Sequence, residues 1–365
     1  MGHMKEVFAN RKRWIAEDEF ITGLSLSQLL PSATGANTIE YLGYKIGGSW
    51  GAVIAPVCFI TPALVLMTLL SAAYFTYGQI PLAKSLFTGL GAVVVALIVN
   101  ATITLARSAI KSVWAVGIAA VAFAMVTFLH AHIGIVILMS ALAGFALFRR
   151  TEVEPEEESA AAPESYPNMD KRFWIVSIAV IALLSILLFI TRHTKTTELA
   201  LSILRVGALT FGGGFMSIPL FQQEAVVTHH WLTNREFLDG LALGQITPGP
   251  VLITANFIGY KVLGVWGALV GSIAVFLPGT VGMFVVAHQH ERVSHLVWLR
   301  AMIRGMAGGF IGVMVTVIIR LGAHSLTDWK TVSLAVAVLI ALLAAKVDPL
   351  WVILAGAAIS LILFH

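Results

Sequence analysis

Two short stretches of this chain are suited to bind an anion through their backbone. Residues 210–214 read Thr-Phe-Gly-Gly-Gly, and residues 245–250 read Gln-Ile-Thr-Pro-Gly-Pro. Glycines let a ligand approach the backbone without a Cβ in the way, and two closely spaced prolines interrupt a helix. A helix that begins again after such a break presents free N–H groups and the positive end of its dipole. The pattern predicts an anion site.

The predicted ligand set combines backbone, amide, hydroxyl and guanidinium donors from both parts of the chain. Its members are Ser27, Gln28, Pro31, Arg205, Phe211, Gly212, Gly213, Gly214, Gln245, Thr247, Pro248, Gly249 and Pro250. Arg205 precedes the first of the glycines, Gly212, by about two helical turns. Its planar fork suits two oxygens of a tetrahedral oxyanion, and the alternative is that it snorkels to the lipid headgroups.

The proline break has a counterpart near the start of the chain, because the sequence repeats itself. Residues 14–20 correspond to 231–237 at an offset of 217, and residues 43–45 correspond to 259–261 at an offset of 216. Helix-length segments of about 11 to 13 residues flank Pro31 and Pro248, and each is too short to cross a 30 Å hydrocarbon core. We expect two half-helices that meet at a break inside the membrane in each half, with packing kinks as the alternative.

The composition is that of a membrane protein. The chain is 58% hydrophobic and 12% charged, whereas a soluble domain carries about 25% charged residues. We expect an all-α polytopic fold, because long apolar runs recur along the sequence. These runs are 51–75, 86–106, 113–129, 133–148, 173–190, 264–287, 305–319, 331–345 and 349–364.

The same composition argues against other classes of function. The single cysteine, Cys58, excludes an intrachain disulfide and a thiolate metal site. We expect no metal and no cofactor. We also expect no nucleic-acid partner, because a net charge of +4 mostly reports loop orientation in a membrane protein. An enzyme is disfavoured by the lack of a catalytic dyad, nucleophile elbow or phosphate-loop motif.

We divide the chain into a first half, 1–148, an acidic linker, 149–172, a connecting transmembrane helix, 173–192, and a second half, 193–365. One connecting span inverts the second half if each half crosses the membrane an even number of times, and keeps the halves parallel otherwise. We expect inverted repeats. No segment before Met1 corresponds to 197–215, so the first half is expected to be short.

One acidic residue breaks the repeat. Glu40 aligns with Asn256 at the offset of 216. A carboxylate close to an anion site would repel the substrate unless it faces away or carries a proton. Glu40 is therefore a candidate proton-coupling residue.

The second half resembles the chromate ion transporter family. The resemblance rests on the motifs at 206–214, 231–237, 244–250, 259–261 and 277–279, in this order. It extends over nearly the whole chain and is similar to the long-chain members, which are fused from two homologous halves of opposed topology. The first half departs from the family pattern, because it has Pro-Ser-Ala at 31–33 where the family has Pro-Gly-Pro, and it lacks the leading Phe-Gly-Gly segment.

The resemblance implies a secondary transporter that exports chromate across the bacterial plasma membrane, with sulfate as a competing oxyanion. The expected partners are a small inorganic oxyanion and the lipid bilayer, with a homodimer as a further candidate. Two alternatives stay open: an uptake or exchange transporter for sulfate or a related oxyanion, and an anion channel.

Overall fold

The structure, a computed structural model, describes residues 4, 6–12, 14–78, 80–149, 194–288, 297–345 and 347–364. The predicted connecting helix and, apart from Arg149, the predicted linker lie outside these residues. The described α-helices are α1 (Glu17–Leu29), α2 (Thr34–Tyr77), α3 (Pro81–Ala109), α4 (Val113–Thr127), α5 (Ile133–Phe148), α6 (Lys195–Leu209), α7 (Ser217–Gln222), α8 (Asn234–Ile246), α9 (Thr254–His288), α10 (Val297–Ser325), α11 (Trp329–Leu343) and α12 (Pro349–Leu363).

The described part of the chain is helical without strands, and several helices can cross a membrane. Four segments are long and apolar enough to do so. They are Thr34–Tyr77, Pro81–Ala109, Val251–Phe284 and Val297–Ser325. The expected all-α polytopic membrane fold is confirmed. The helices α4, α5, α11 and α12 have 15 or 16 residues, which corresponds to about 22–24 Å each.

The sequence repeat is also a repeat of structure. The starts of α3, α4 and α5 lie 216 residues before the starts of α10, α11 and α12. The long helices α2 and α9 carry the same kink, at Gly48 (φ 60°, ψ −149°) and at Gly264 (φ 61°, ψ −146°). The helix α6 has no counterpart among the described residues of the first half.

Each half begins with a helical hairpin whose turn is a proline break. Hairpin 1 comprises residues 17–46 with its tip at residues 30–33, and hairpin 2 comprises residues 234–262 with its tip at residues 247–253. The predicted breaks near Pro31 and Pro248 are therefore confirmed. In both hairpins a small residue lets the two arms touch: a Cβ on Gly23 would overlap the ring of Tyr41. Gly240 meets the ring of Phe257 in the same way.

Matching ion pairs close the open base of each hairpin. Glu19 pairs with Lys45 at 2.5 Å, and Glu236 pairs with Lys261 at 2.7 Å. In each pair the acid lies at the start of the first arm and the lysine at the end of the second arm. Glu236 also completes a capping box with Thr233, which accounts for the Thr-x-x-Glu spacing in the motif at 231–237.

After each hairpin the chain reverses at the glycine kink and continues as a long helix. The arm 34–46 then lies against residues 49–77, because Gly43 and Gly51 approach each other through their backbones. Gly259 and Gly267 do the same in the second half. Gly48 and Gly264 have positive φ, a conformation that glycine adopts at little cost.

The two halves run in opposite directions through the fold. The helix α4 runs parallel to α10, because residues 115, 119 and 127 contact residues 308, 312 and 316 respectively. Since α4 returns from α3 after three connecting residues, α3 and its equivalent α10 are antiparallel. A Cβ on Gly91, near the start of α3, would indeed lie 2.6 Å from Oγ of Ser325 at the end of α10. The expected inverted repeat is confirmed.

Candidate functional site

Three interruptions of the helical backbone meet at one place in the protein. They are tip 1 (residues 30–33 of hairpin 1), tip 2 (residues 247–253 of hairpin 2) and the glycine loop. The glycine loop comprises residues 210–214, after the end of α6. The backbone N–H of Ser32 in tip 1 donates to the carbonyl oxygen of Thr210 at 2.8 Å. On the other side of the loop, a Cβ on Gly214 would lie 3.2 Å from Val251 and 3.4 Å from Leu252 in tip 2.

Each tip packs on the long helix of the opposite half, and the two contacts are equivalent by the repeat. A Cβ on Gly249 in tip 2 would lie 2.8 Å from Cβ of Ala63. A Cβ on Gly279, the equivalent of Ala63, would lie 2.7 Å from Cβ of Ser32, the equivalent of Gly249. The inverted arrangement therefore brings both tips to the middle of the two long helices. Backbone irregularity at that depth is tolerated only where it is buried in protein or lines a cavity.

The helical segments that begin at the tips lack side-chain caps. Neither Ala33, before α2, nor Pro250, before the short 3-10 helix Val251–Ile253, caps its helix. By contrast, Thr194, Thr233 and Asp328 cap the starts of α6, α8 and α11. The first N–H groups of a helix have no partner within it. The uncapped starts therefore suit an anion.

The glycine loop leaves room for a ligand. Gly212 has φ 80° and Gly213 has φ 128°, conformations that residues with a Cβ rarely adopt. Apart from Gly213 and its two chain neighbours, no atom of the described residues lies within 4 Å of the place where a Cβ on Gly213 would be. Gly212, Pro248 and Gly249 are exposed, so the loop and tip 2 each present accessible backbone.

The remaining members of the predicted ligand set differ in how far their side chains or backbones are exposed. Pro31, Phe211, Gly214, Gln245 and Pro250 are half-buried, and Gln28 is exposed. These residues lie within the three interruptions or within one helical turn of them.

Two predicted hydroxyl donors already have acceptors. Ser27 donates to the carbonyl oxygen of Gly23 at 2.6 Å, and Thr247 donates to that of Leu243 at 2.9 Å. A hydroxyl has one proton to donate, so in this conformation backbone N–H groups are the better anion donors at the tips.

Arg205 projects from the exposed face of α6. It shares that face with Leu201 and Ala208, whereas Ile203, Val206 and Gly207 are buried. Gly207 packs directly on the backbone of α9 at Val275. The structure therefore does not direct the guanidinium toward the packed side of the glycine loop.

A polar cavity lies at the base of hairpin 2 and not at its tip. Its volume is about 790 Å³, and its lining includes His230, Arg235, Glu236, Lys261 and His324. The guanidinium of Arg235 donates to Oγ1 of Thr88 at 3.1 Å. The cavity therefore presents several cationic or titratable nitrogens at the mouth of the hairpin.

Comparison with known proteins identifies the class to which this geometry belongs. A profile of the chromate transporter family matches residues 1–145 and 197–361. The chain belongs to the chromate transporter family. The match covers both inverted halves, so the family pattern and the structural repeat coincide, and membership points to a transporter rather than an enzyme.

Several relatives of the transporter span nearly its whole length. The chromate transport protein of Cupriavidus metallidurans is 28% identical over 98% of this chain and 86% of its own length. The chromate transport protein of Pseudomonas aeruginosa is 29% identical over 85% of this chain and 73% of its own. An uncharacterised transporter of Methanocaldococcus jannaschii is 28% identical over 92% and 82% respectively. No solved structure matches the chain.

Two features of the hairpins were not predicted from the sequence. The ion pairs at the hairpin bases were readable, because Glu19 and Lys45 recur as Glu236 and Lys261 in the repeat. The second feature is Ser32, which has φ 77° although it is not a glycine. Its hydroxyl donates to the carbonyl oxygen of Val275 at 3.2 Å. That bond joins residues 243 positions apart, so local sequence gave no signal for it.

The left-handed backbone of Ser32 leads to a prediction with opposite outcomes for two substitutions. We expect Ser32→Gly to stay within about 1 kcal/mol of the wild type, because relief of a left-handed residue offsets the loss of one hydrogen bond. We expect Ser32→Val to lose about 2 kcal/mol or more, since a β-branched residue strains at positive φ and loses the bond. Thermal unfolding in detergent measures the stability of both variants. Equal stability of the two variants would contradict the left-handed conformation of Ser32.

Proposed function

We propose that this protein is a secondary transporter that exports chromate across the plasma membrane of a bacterium, with sulfate as a competing oxyanion. The observation that carries the proposal is the convergence of two uncapped hairpin tips and an open glycine loop. A tetrahedral dianion needs several N–H donors and tolerates few carboxylates. The uncapped tips offer backbone donors from both halves, and family membership supports chromate as the substrate.

The substrate is also supported by what the relatives are called. The relatives from Cupriavidus metallidurans and Pseudomonas aeruginosa are named chromate transport proteins. The cavity at the base of hairpin 2, with Arg235 and Lys261 in its lining, adds an electrostatic approach for an anion.

Export is the direction that the membrane potential favours. A negative interior drives each negative charge outward with a free energy of about 2.3 kcal/mol per 100 mV. A dianion that leaves the cell therefore gains about 4.6 kcal/mol at a potential of about 100 mV. Because 1.4 kcal/mol corresponds to a factor of ten, this sustains an outward gradient of roughly a thousandfold without a coupled ion. Uptake of the same dianion would need cotransported protons or sodium.

Transport by inside-out and right-side-out membrane vesicles tests the direction. We expect chromate to accumulate in inside-out vesicles with a positive interior, and sulfate to slow it competitively. Accumulation only in right-side-out vesicles with a coupled ion would support the uptake or exchange alternative. Single-channel currents and a flux that does not saturate would support an anion channel.

Arg205 is the predicted ligand whose position calls most directly for a test. If the guanidinium contacts the oxyanion during transport, Arg205→Lys lowers chromate flux about tenfold although the charge is kept, because an ammonium cannot form a bidentate pair. Arg205→Ala should lower the flux further. Chromate flux is measured in vesicles with matched amounts of inserted protein. If Arg205 only snorkels, Arg205→Lys works as well as the wild type.

A further inference from the structure

Glu40 is a buried acid that the proposed transport route does not use. It lies in the second arm of hairpin 1, six residues after the start of α2 and only 1% exposed. Its carboxyl group hydrogen-bonds to Thr280 on α9 of the opposite half. Its Oε1 atom is buried and has no hydrogen-bond partner among the residues that the structure describes.

The equivalent position in the second half shows what a neutral side chain does there. Asn256 is fully buried in hairpin 2, and its amide nitrogen donates to Thr68 at 2.9 Å and to Ser272 at 3.1 Å. Thr68 lies on α2, so Asn256 fastens hairpin 2 to the long helix of the opposite half. Glu40 makes the corresponding contact across to α9, with an acid in place of the amide.

Among the described residues of hairpin 1, Lys45 is the only lysine or arginine, and Arg11 and Lys12 before α1 are exposed. On the same arm as Glu40, Lys45 pairs with Glu19 of α1 at the base of the hairpin. Tyr41 and Tyr44 are the titratable neighbours of Glu40 along the arm. The other charged residues of α1 are acids at its start. The packed helix α9 carries no Asp, Glu, Lys or Arg between residues 265 and 287.

Burial of an ionised carboxylate at the position of Glu40 costs free energy. Removing a charge from water without a counter-ion costs far more than burying a neutral group, so a buried acid without a cation is held with its proton. A protonated carboxyl has one O–H to donate and keeps an acceptor, which fits a hydroxyl neighbour such as that of Thr280.

We propose that Glu40 is a proton-binding site linked to oxyanion binding. With its proton in place, Glu40 holds hairpin 1 against α9, and tip 1 stays on the glycine loop. Loss of the proton puts a negative charge on the hairpin whose tip borders the anion site, which weakens dianion binding and favours release of the hairpin. Linkage is reciprocal, so a bound oxyanion also strengthens proton binding. This inference rests on the proposed function, because the linked ligand is an oxyanion.

The test compares the wild type with Glu40→Gln, which mimics the protonated state permanently. Chromate flux is measured in proteoliposomes between about pH 6 and pH 9. We expect the ratio of the wild-type KM to the Glu40→Gln KM to rise about fivefold or more as the pH increases across this range. A factor of about five is the lower end of the coupling that is typical between two linked binding sites. Chromate itself takes up a proton near neutral pH, but that change affects both proteins equally and cancels in the ratio.

The matched control is Asp348→Asn, which removes one negative charge from the exposed N-cap of α12 and keeps the cap, because asparagine caps a helix as well as aspartate does. Its KM ratio to the wild type should stay constant with pH. Glu40→Asp retains a titratable group and should keep the pH dependence. A constant ratio for Glu40→Gln would overturn the proton site and leave chromate transport intact.

Infrared spectroscopy of the purified protein tests the proton without any transport. We expect the wild type minus Glu40→Gln difference spectrum at neutral pH to contain the C=O band of a protonated carboxyl. A carboxylate band alone would overturn the proposal even if flux depends on pH. If neither protein moves chromate while the protonated band is present, the proposed function fails and the proton site stands as a structural feature.

Discussion

Replacement of Gly213 by leucine should lower oxyanion transport by about a hundredfold or more, a loss comparable to removal of an oxyanion-binding donor from an enzyme. Gly213 has φ 128°, and the space in front of its Cα is open. A leucine side chain would occupy that space and hold the ligand away from the backbone of the glycine loop. Chromate flux per inserted molecule is the quantity to measure.

Two controls separate bulk from backbone strain. Gly213→Ala carries the strain of a positive φ with little bulk, so we expect a smaller loss, about tenfold. Gly264→Leu combines a positive φ with open space at the base of hairpin 2, away from the glycine loop. It should retain most of the flux. Wild-type flux from well-inserted Gly213→Leu protein would remove the glycine loop from the site.

Replacement of Gly259 by alanine should cause the largest loss of stability. The added Cβ would overlap the carbonyl oxygen of Gly267, so hairpin 2 must separate from the long helix that follows it. Overpacking costs about 1–3 kcal/mol where neighbours can adjust, and more where the obstacle is backbone. We expect little folded protein in detergent, as measured by thermal unfolding with size-exclusion chromatography.

The repeat and a third glycine supply the controls for that prediction. Gly43→Ala should have the same effect in the first half, because Gly43 meets the backbone of Gly51. Gly322→Ala lies in α10, where the nearest atom to the added Cβ is 3.9 Å away. It should be tolerated. Equal stability of Gly259→Ala and Gly322→Ala would contradict the close approach of the two segments.

The sequence predicted the parts of this fold that are encoded locally. Proline breaks at Pro31 and Pro248 end one helix and begin another because of the chemistry of proline itself. The repeat carried the division into halves. It also contained the ion pairs Glu19–Lys45 and Glu236–Lys261, which became readable as pairs once the hairpins were known.

The parts that depend on distant contacts could not be predicted. The contact between Gly249 and Ala63 joins residues far apart in the chain, and nothing in either local sequence specifies its partner. Ser32 lies in a left-handed conformation because Thr210 and Val275 accept its hydrogen bonds. For the same reason, the exposed direction of Arg205 on α6 could not be read from its distance to the glycines.

We propose that chromate crosses the membrane through the place where the two tips and the glycine loop meet. The most direct measurement is chromate flux into liposomes that contain the purified protein, under an imposed potential with a positive interior. We predict a saturable flux that sulfate inhibits, that reverses with the potential, and that Gly213→Leu eliminates. A flux no greater than that of protein-free liposomes, or one that Gly213→Leu leaves unchanged, would contradict the account.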